Sequence, residues 1–201
     1  MIRNIVLDIG NVLAAFCWRE VFEELGFYKE IQAELAEATV KSNLWLELDR
    51  SARPDAEIMA DCIAAAPHLR SEITLFFGHL AETVREFPYA ASWIKDLKAR
   101  GYRVYLLSNY GKTVYGLTHK GLSFLPLVDG QVFSYQVKSV KPEALIYQTL
   151  LDTHGLAPEE CLFFDDAPRN VEGAKRVGIN AHLFTTQEDA EAALRRYTQE
   201  E

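Results

Sequence analysis

The sequence predicts an α/β fold with three layers, in which a parallel sheet is interrupted by an inserted α-helical cap. Two observations predict it. Short, apolar, β-branched runs alternate with amphipathic helical segments at the start of the chain and through its second half, and this alternation is typical of βαβ units. Residues 17–86 are instead almost wholly helical in character, so we expect them to form the cap.

The first half of the chain contains one strand and then the helical region. Residues 2–8 read as a buried strand because Ile5, Val6 and Leu7 are followed directly by turn residues. From Trp18 to Glu86 apolar residues recur at three- and four-residue spacing among many Ala, Glu and Leu. Pro54 and Pro67 mark predicted helix boundaries.

In the second half, strands and helices alternate. The helix Tyr89 to Arg100 is closed by Gly101, which suits a left-handed position after a helix. The remaining predictions are strands over 104–107, 162–164 and 181–184, a possible strand over 132–135, and helices over 143–154, 170–177 and 187–201.

Length and composition restrict the class of protein. The 201 residues suit one large domain, or one domain with an insertion. The net charge of -8 argues against nucleic-acid binding. No apolar run reaches the ~20 residues of a membrane span, and no export signal is visible. We therefore expect a cytoplasmic monomer or homodimer, with Cys17, Cys62 and Cys161 as reduced, mostly buried thiols.

Polar clusters stand where strands are predicted to end or a helix to begin. They are Asp8, Ser108-Asn109, Lys141 and Asp165-Asp166. Ligands of parallel sheets bind beyond the carboxyl ends of the strands, so these groups are expected to meet in one crevice. A lone Asp after a strand is usually a turn or cap residue. The company of the other clusters makes Asp8 a candidate nucleophile for phosphoryl transfer.

Such a nucleophile needs cationic help, because it must approach an anionic phosphate. Asp165-Asp166 suits Mg²⁺, which binds one or two carboxylates together with water and phosphate oxygens. Successive strand residues face opposite ways, so we expect Asp166 to ligate and Asp165 to support it. Lys141, before Pro142, fits the first turn of a helix and can balance Asp8; Lys138 is the alternative.

These motifs resemble those of the haloacid dehalogenase-like hydrolase superfamily. The residues that carry the resemblance are Asp8-Ile9-Gly10-Asn11-Val12, Leu107-Ser108-Asn109, Lys141-Pro142-Glu143 with Ile146-Tyr147, and Phe164-Asp165-Asp166. In detail the chain is similar to bacterial glucose-1-phosphate phosphatases and to the N-terminal phosphatase domain of soluble epoxide hydrolases. The resemblance implies a Rossmann-like core over residues 1–16 and 87–201, with the helical cap over 17–86.

The resemblance also implies roles for single residues. Asp8 would be the nucleophile, and Mg²⁺ would be held by Asp8, the carbonyl of Gly10 and Asp166. Ser108, Asn109 and Lys141 would bind the phosphoryl group. Asp165 and Asn170 would support these groups from behind. The expected substrate is a small phosphorylated metabolite.

Gly10 departs from the common pattern of these phosphatases. Most carry a second aspartate at this position, as general acid and then base, and its absence could cost roughly 10²–10⁴-fold in rate. We hypothesise a substrate with a good leaving group, such as a sugar 1-phosphate. Two alternatives stay open: a metal-independent haloacid dehalogenase-type hydrolase, and a weakly active phosphate-binding regulatory protein.

Within the predicted cap, Trp18-Arg19, Trp45 and Asp49-Arg50 carry side chains that can recognise a substrate. Tryptophan can stack on a sugar face and arginine can bind hydroxyls or phosphate. Arg19, Trp45 and Arg50 are the candidates for substrate contact. The simpler interpretation is core packing for the tryptophans and a surface ion pair for Arg50.

Overall fold

The computed structural model describes residues 1–198 and is centred on a five-stranded parallel sheet, as predicted. Its strands lie in the order β5-β4-β1-β6-β7. Their bounds are β1 Asn4–Leu7, β4 Arg103–Ser108, β5 Gly130–Phe133, β6 Cys161–Asp165 and β7 Asn180–Leu183. The α/β class of the fold is therefore confirmed.

Strand β1 lies at the centre of this sheet because its side chains are apolar on both faces. Ile5 and Leu7 are fully buried in one hydrophobic cluster, and Val6 is fully buried in the other. A strand covered on both sides reads as a continuous apolar run, which is the pattern seen here. The end of β1 is thereby fixed in the middle of the sheet edge.

Helices cover both faces of the sheet and complete three layers. One face packs against α6 (Ala90–Ala99) and α11 (Gln187–Thr198), through residues such as Trp93 and Leu194. The other face packs against α9 (Ala144–His154) and α10 (Pro168–Arg176). The short helices α7 (Lys112–Thr118) and α8 (Ser134–Val137) lie between strands.

Residues 14–86 contain five helices and a small second sheet. The helices are α1 Trp18–Glu24, α2 Lys29–Ala38, α3 Asn43–Arg50, α4 Asp55–Ala65 and α5 Arg70–Phe77. Strands β2 (Ala14–Phe16) and β3 (Val84–Glu86) pair antiparallel where the chain leaves the core and returns to it. The prediction of helix through Glu86 is wrong for residues 84–86, which form β3. A segment of three residues is too short to show the hydrophobic periodicity of a helix or of a strand.

Two further details differ from prediction. Residues 134–135 begin α8 rather than extend a strand, since β5 ends at Phe133. Lys141 and Pro142 precede α9, which begins at Ala144, so Lys141 lies in a turn rather than in the first turn of a helix. Of the predicted helix 187–201, residues 187–198 are helical and the last three lie outside the described residues.

The expected burial of the cysteines is confirmed, since all three are free and buried. Among residues 1–198, no helix combines the length and the apolar character that crossing a membrane requires.

Candidate active site

The carboxyl ends of three neighbouring strands bring the predicted site residues together. Asp8 directly follows β1, Ser108 ends β4 and Asp165 ends β6, and β1 lies between the other two strands. A cavity of about 300 Å³ lies beyond these ends, and Asp8, Ser108 and Asp166 line it. The sheet order thus places the candidate nucleophile between the candidate phosphate and metal groups.

Lys141 joins two of the carboxylates beneath the cavity. Its Nζ lies 2.8 Å from Oδ1 of Asp8 and 2.6 Å from Oδ2 of Asp165, and it donates to the carbonyl of Leu107 at 2.9 Å. All three of its protons have acceptors, which is how a fully buried ammonium is compensated. The choice of Lys141 over Lys138 agrees with this geometry, because Lys138 donates to the carbonyl of Ser51 instead.

The cluster is electrostatically strained. The pKa of Asp8 is raised to about 7, because burial and the charges of Asp165 and Asp166 raise it by more than Lys141 lowers it. Burial acts to lower the pKa of Lys141, but the charges and hydrogen bonds of Asp165 and Asp8 leave that pKa above its usual value. Lys141 therefore stays charged, and the carboxylates around it carry excess negative charge.

Asp165 contacts Lys141 and does not belong to the cavity lining. The side chain is fully buried and accepts hydrogen bonds from the backbone N–H of Ala167 at 2.8 Å and from Asn170 Nδ2 at 3.0 Å. With Lys141 on its other oxygen, it is held on every side. Asp165 and Asn170 thus fix the floor on which Lys141 and Asp8 sit.

The residues at the mouth suit a hard cation. One oxygen each of Asp8, Asp165 and Asp166 lies within 4.8 Å of the others. Asn11 donates to Asp166 at 2.8 Å, and burial raises the pKa of the Asp166 carboxyl. Within residues 1–198, the buried Oδ1 of Asn170 has no hydrogen-bond partner. An all-oxygen donor set with excess negative charge and an unsatisfied amide oxygen fits Mg²⁺.

Ser108 and Asn109 are placed differently from each other. Both line the cavity, and Ser108 is buried. The side-chain amide of Asn109, predicted to be available to phosphate, instead bonds the backbone of Lys141 at both ends. The second proton of Nδ2 and the backbone N–H of Asn109 are left for a ligand, while the side chain also fixes the backbone of Lys141.

The three predicted substrate contacts separate in the structure. Trp45 lines the cavity, with its ring 5.4 Å from that of Phe16. Arg19 lies outside the lining and stacks on Trp18 at 4.2 Å. Arg50 also lies outside it and forms a two-point ion pair with Glu143, at 2.7 and 2.9 Å. Arg50 therefore has the ion-pair role that was the simpler interpretation.

Three of the cavity-lining residues that sequence reasoning did not assign bear on the chemistry of the site. They are Asn11, Asp49 and Arg169. Asn11 has a positive φ of 55°, which Asn tolerates better than most residues, and this turn aims its amide at Asp166. Asp49 was visible as one half of the Asp49-Arg50 pair. Neighbours on a helix point about 100° apart, so only one of the two can face the cavity, and the structure selects Asp49.

Gly10 is not imposed by lack of room. A Cβ built at this position meets no heavy atom within 4 Å. The absence of an aspartate here is therefore not imposed by crowding around the position of the Cβ.

Two named phosphatases are similar to this chain in sequence. A Mycobacterium tuberculosis protein named as a phosphatase is 32% identical over 98 residues, which is 48% of this chain and 45% of that protein, so the chain spans about half the length of that relative. The D-ribitol-5-phosphate phosphatase of Bacteroides thetaiotaomicron is 24% identical over 195 residues, 89% of this chain and 90% of that enzyme.

The fold is also found among solved structures. A HAD family enzyme of Bacteroides thetaiotaomicron, described as a complex with magnesium and inorganic phosphate, superposes with a TM-score of 0.73 at 22% identity, over 97% of this chain and all of that one. The family model for haloacid dehalogenase-like hydrolases matches residues 2–178. The chain therefore belongs to the haloacid dehalogenase-like hydrolase family.

Proposed function

We propose that this protein is a Mg²⁺-dependent phosphatase that hydrolyses small phosphorylated metabolites through an aspartyl-phosphate. The observation that carries the proposal is the 2.8 Å contact between Asp8 and the buried Lys141, at the floor of a cavity that Asp166 also lines. A carboxylate with a cation on one oxygen keeps its other oxygen for attack, while the cation offsets the charge of the phosphate.

The residues divide the reaction between them. Asp8 attacks phosphorus, its oxygen forms the new P–O bond, and the alkoxide of the substrate departs. Ser108 and the backbone N–H of Asn109 bind and orient the phosphoryl oxygens, while Lys141 offsets their charge from beneath Asp8. Asp8, the carbonyl of Gly10 and Asp166 would hold Mg²⁺, which when bound supplies positive charge to those oxygens. Water then cleaves the phosphate from Asp8 and restores the carboxylate.

The substrate class we propose is sugar phosphates, with sugar 1-phosphates among them. The cavity of about 300 Å³ suits a small metabolite, and its wall combines the Trp45 ring with the polar residues Ser42 and Asn43. An aromatic face beside hydrogen-bonding groups is a surface that a sugar ring complements. The named activity of the Bacteroides relative toward a polyol phosphate supports the same class.

We also propose that residues 17–86 act as a cap over the core formed by 1–16 and 87–198. This segment supplies Lys41, Ser42, Trp45 and Asp49 to the wall of a cavity that residues at the strand ends also line. Substrate choice would then reside in the cap, and the phosphoryl chemistry in the core.

The test is a screen of phosphorylated metabolites with Mg²⁺ and with EDTA, for the wild type and Asp8→Asn. We expect release of inorganic phosphate by the wild type with Mg²⁺ alone, and no release by Asp8→Asn at an unchanged circular dichroism spectrum. Retained turnover by Asp8→Asn would contradict the mechanism. Halide release from 2-haloacids in EDTA would favour the dehalogenase alternative.

A further inference from the structure

The proposed reaction has a proton to account for. When the P–O bond to the substrate breaks, the leaving oxygen needs a proton, and the water that later attacks the aspartyl-phosphate must lose one. Gly10 offers no side chain for either step. Among the described residues, the carboxylates that line the cavity are Asp8, Asp49 and Asp166. Asp8 is the nucleophile and Asp166 is bound by Asn11 at the metal site, which leaves Asp49.

Asp49 stands near the end of α3 and enters the cavity from the side of the inserted helices. It shares the cavity with Asp8, Ser108 and Gly111. The leaving group of a phosphate attacked from below by Asp8 points away from the strand ends, because attack and departure are in line. Because Asp49 belongs to α3 and not to the strand ends that carry Asp8, we place it on the side where that group departs.

The backbone at Asp49 is fastened to the core. Ser134 Oγ donates to the carbonyl of Asp49 at 2.7 Å and accepts from the N–H of Tyr110 at 2.8 Å. One residue later the guanidinium of Arg50 is paired with Glu143. Such bonds hold a side chain in one place, as a proton donor that must meet its acceptor requires.

Gly111 permits this close seating. A Cβ at position 111 would stand 2.9 Å from the carbonyl oxygen of Leu48 and 3.7 Å from Cα of Asp49. The absence of a side chain on Gly111 lets α3 pack directly against the loop that follows β4. The contact brings Asp49 beside the residues that bind the phosphoryl group.

We infer that Asp49 is the general acid–base of this active site and replaces the side chain that Gly10 lacks, an inference that rests on the phosphatase function proposed above. The protonated carboxyl of Asp49 gives its proton to the leaving oxygen as the P–O bond breaks. The resulting carboxylate takes a proton from the water that attacks phosphorus in the aspartyl-phosphate. The alcohol and inorganic phosphate leave, and Asp49 is protonated again.

The charges around Asp49 agree with this role. Its pKa is raised to about 7, because burial and the charge of Asp8 raise it by more than Lys141, Arg169 and the backbone N–H of Gly111 lower it. A carboxyl with a pKa near neutrality can both give and take a proton at the pH of the cell.

The first experiment follows one turnover of Asp49→Asn, with Mg²⁺, on two kinds of phosphate ester. With an alkyl phosphate we expect cleavage to slow by about 10²–10⁴-fold, because the leaving alkoxide has no proton donor. With 2,4-dinitrophenyl phosphate we expect the burst of dinitrophenolate to keep its wild-type rate, since that group leaves as an anion. Slow turnover after the burst reports the missing base.

The second experiment is rescue. Because position 10 has open space, Gly10→Asp in the Asp49→Asn background should restore much of the lost rate on alkyl phosphates. Asp61→Asn is the matched control, since Asp61 lies in the same helical insertion, outside the cavity lining, and pairs with Arg53. It should keep wild-type rates on both esters.

Two outcomes would overturn the inference while leaving the proposed function intact. One is wild-type cleavage of alkyl phosphates by Asp49→Asn. The other is an equal loss for both esters, which would mark a role in folding or binding. If the wild type hydrolyses no phosphate ester with Mg²⁺, the proposed function itself is wrong and the inference falls with it.

Discussion

The side-chain amide of Asn109 forms two hydrogen bonds with the backbone of Lys141. Its Nδ2 donates to the Lys141 carbonyl at 3.2 Å, and its Oδ1 accepts from the Lys141 N–H at 2.7 Å. The turn that presents the buried ammonium is therefore set by an amide 32 residues earlier in the chain. This arrangement connects the end of β4 to the cation of the site without any contact between Asn109 and the Nζ atom.

Replacing Asn109 should consequently weaken the site through Lys141. In Asn109→Ala both bonds are lost, and we expect about 1–3 kcal/mol lower stability toward unfolding. A displacement of the ammonium by about 1 Å could lower kcat by about 10²-fold. Urea unfolding and steady-state kinetics measure the two effects. Asn109→Asp, which keeps the acceptor for the Lys141 N–H and loses the donor, should be intermediate; full activity in Asn109→Ala would contradict the positioning role.

Lys141 should matter for stability as much as for catalysis. Lys141→Met removes the cation between Asp8 and Asp165 and leaves buried carboxylates uncompensated, a change that typically costs about 3–5 kcal/mol. Adding Asp8→Asn should recover part of this loss, because one of the two repelling charges is removed. A double-mutant cycle from denaturant unfolding in EDTA checks it. Strictly additive effects would show that the two residues do not interact.

Metal affinity should depend on Asn11, which touches no proposed phosphate group. Its amide orients Asp166 at 2.8 Å. Outer contacts of this kind typically contribute 10–100-fold to metal affinity. We expect Asn11→Ala to require about 10–100-fold more Mg²⁺ for half-maximal activity, with kcat at saturating Mg²⁺ changed less. An unchanged Mg²⁺ requirement would contradict the prediction that Asn11 orients Asp166 for metal binding.

Asp49 also predicts how stability changes with pH. Its pKa in the folded protein is raised to about 7, above the 3.8 of an unperturbed Asp. The folded state therefore binds the proton more tightly than the unfolded state. Its contribution is fully present below about pH 4 and is lost as pH rises toward and through 7. Asp49→Asn removes this loss, so it should be more stable than the wild type at pH 8.

The gain for Asp49→Asn at pH 8 should be about 1–3 kcal/mol, and it should vanish near pH 4. Thermal or urea unfolding of both proteins in EDTA at the two pH values measures it. Asp61→Asn serves again as the control, with no such gain expected from an exposed carboxylate. A variant that is less stable at pH 8 would mean that Asp49 is held ionised in the folded protein.

Most of the catalytic floor could be predicted from the sequence because strand ends are local signals. Asp8 and Asp165 each follow a short apolar run, and parallel strands bring their carboxyl ends to one edge. The place of Lys141 before Pro142 was enough to prefer it over Lys138. The sequence did not predict that Lys141 lies in a turn before α9 rather than in the helix. The hydrogen bonds between Asn109 and the Lys141 backbone depend on two loops that meet in space. Neither hydrophobic periodicity nor secondary-structure propensity predicts such a contact.

The wall of the cavity was much harder to predict. Which of Asp49 and Arg50 faces inward depends on how α3 is rotated and seated, and that is set by contacts with Ser134, Gly111 and Glu143 far along the chain. The short pairing of β2 with β3 was missed for the same reason. Three-residue strands acquire their structure from the partner strand, so the segment around Val84 carries no signal by itself.

Gly111 sets the distance between α3 and the loop that follows β4. With glycine at position 111, α3 already contacts the loop after β4 and cannot pack closer. Any larger residue at position 111 must push α3, the roof of the cavity, away from that loop. Raising the roof would admit bulkier esters, but the same movement would carry Asp49 away from the oxygen it serves. A larger residue at position 111 would therefore widen the range of substrates and lower the turnover rate of small ones.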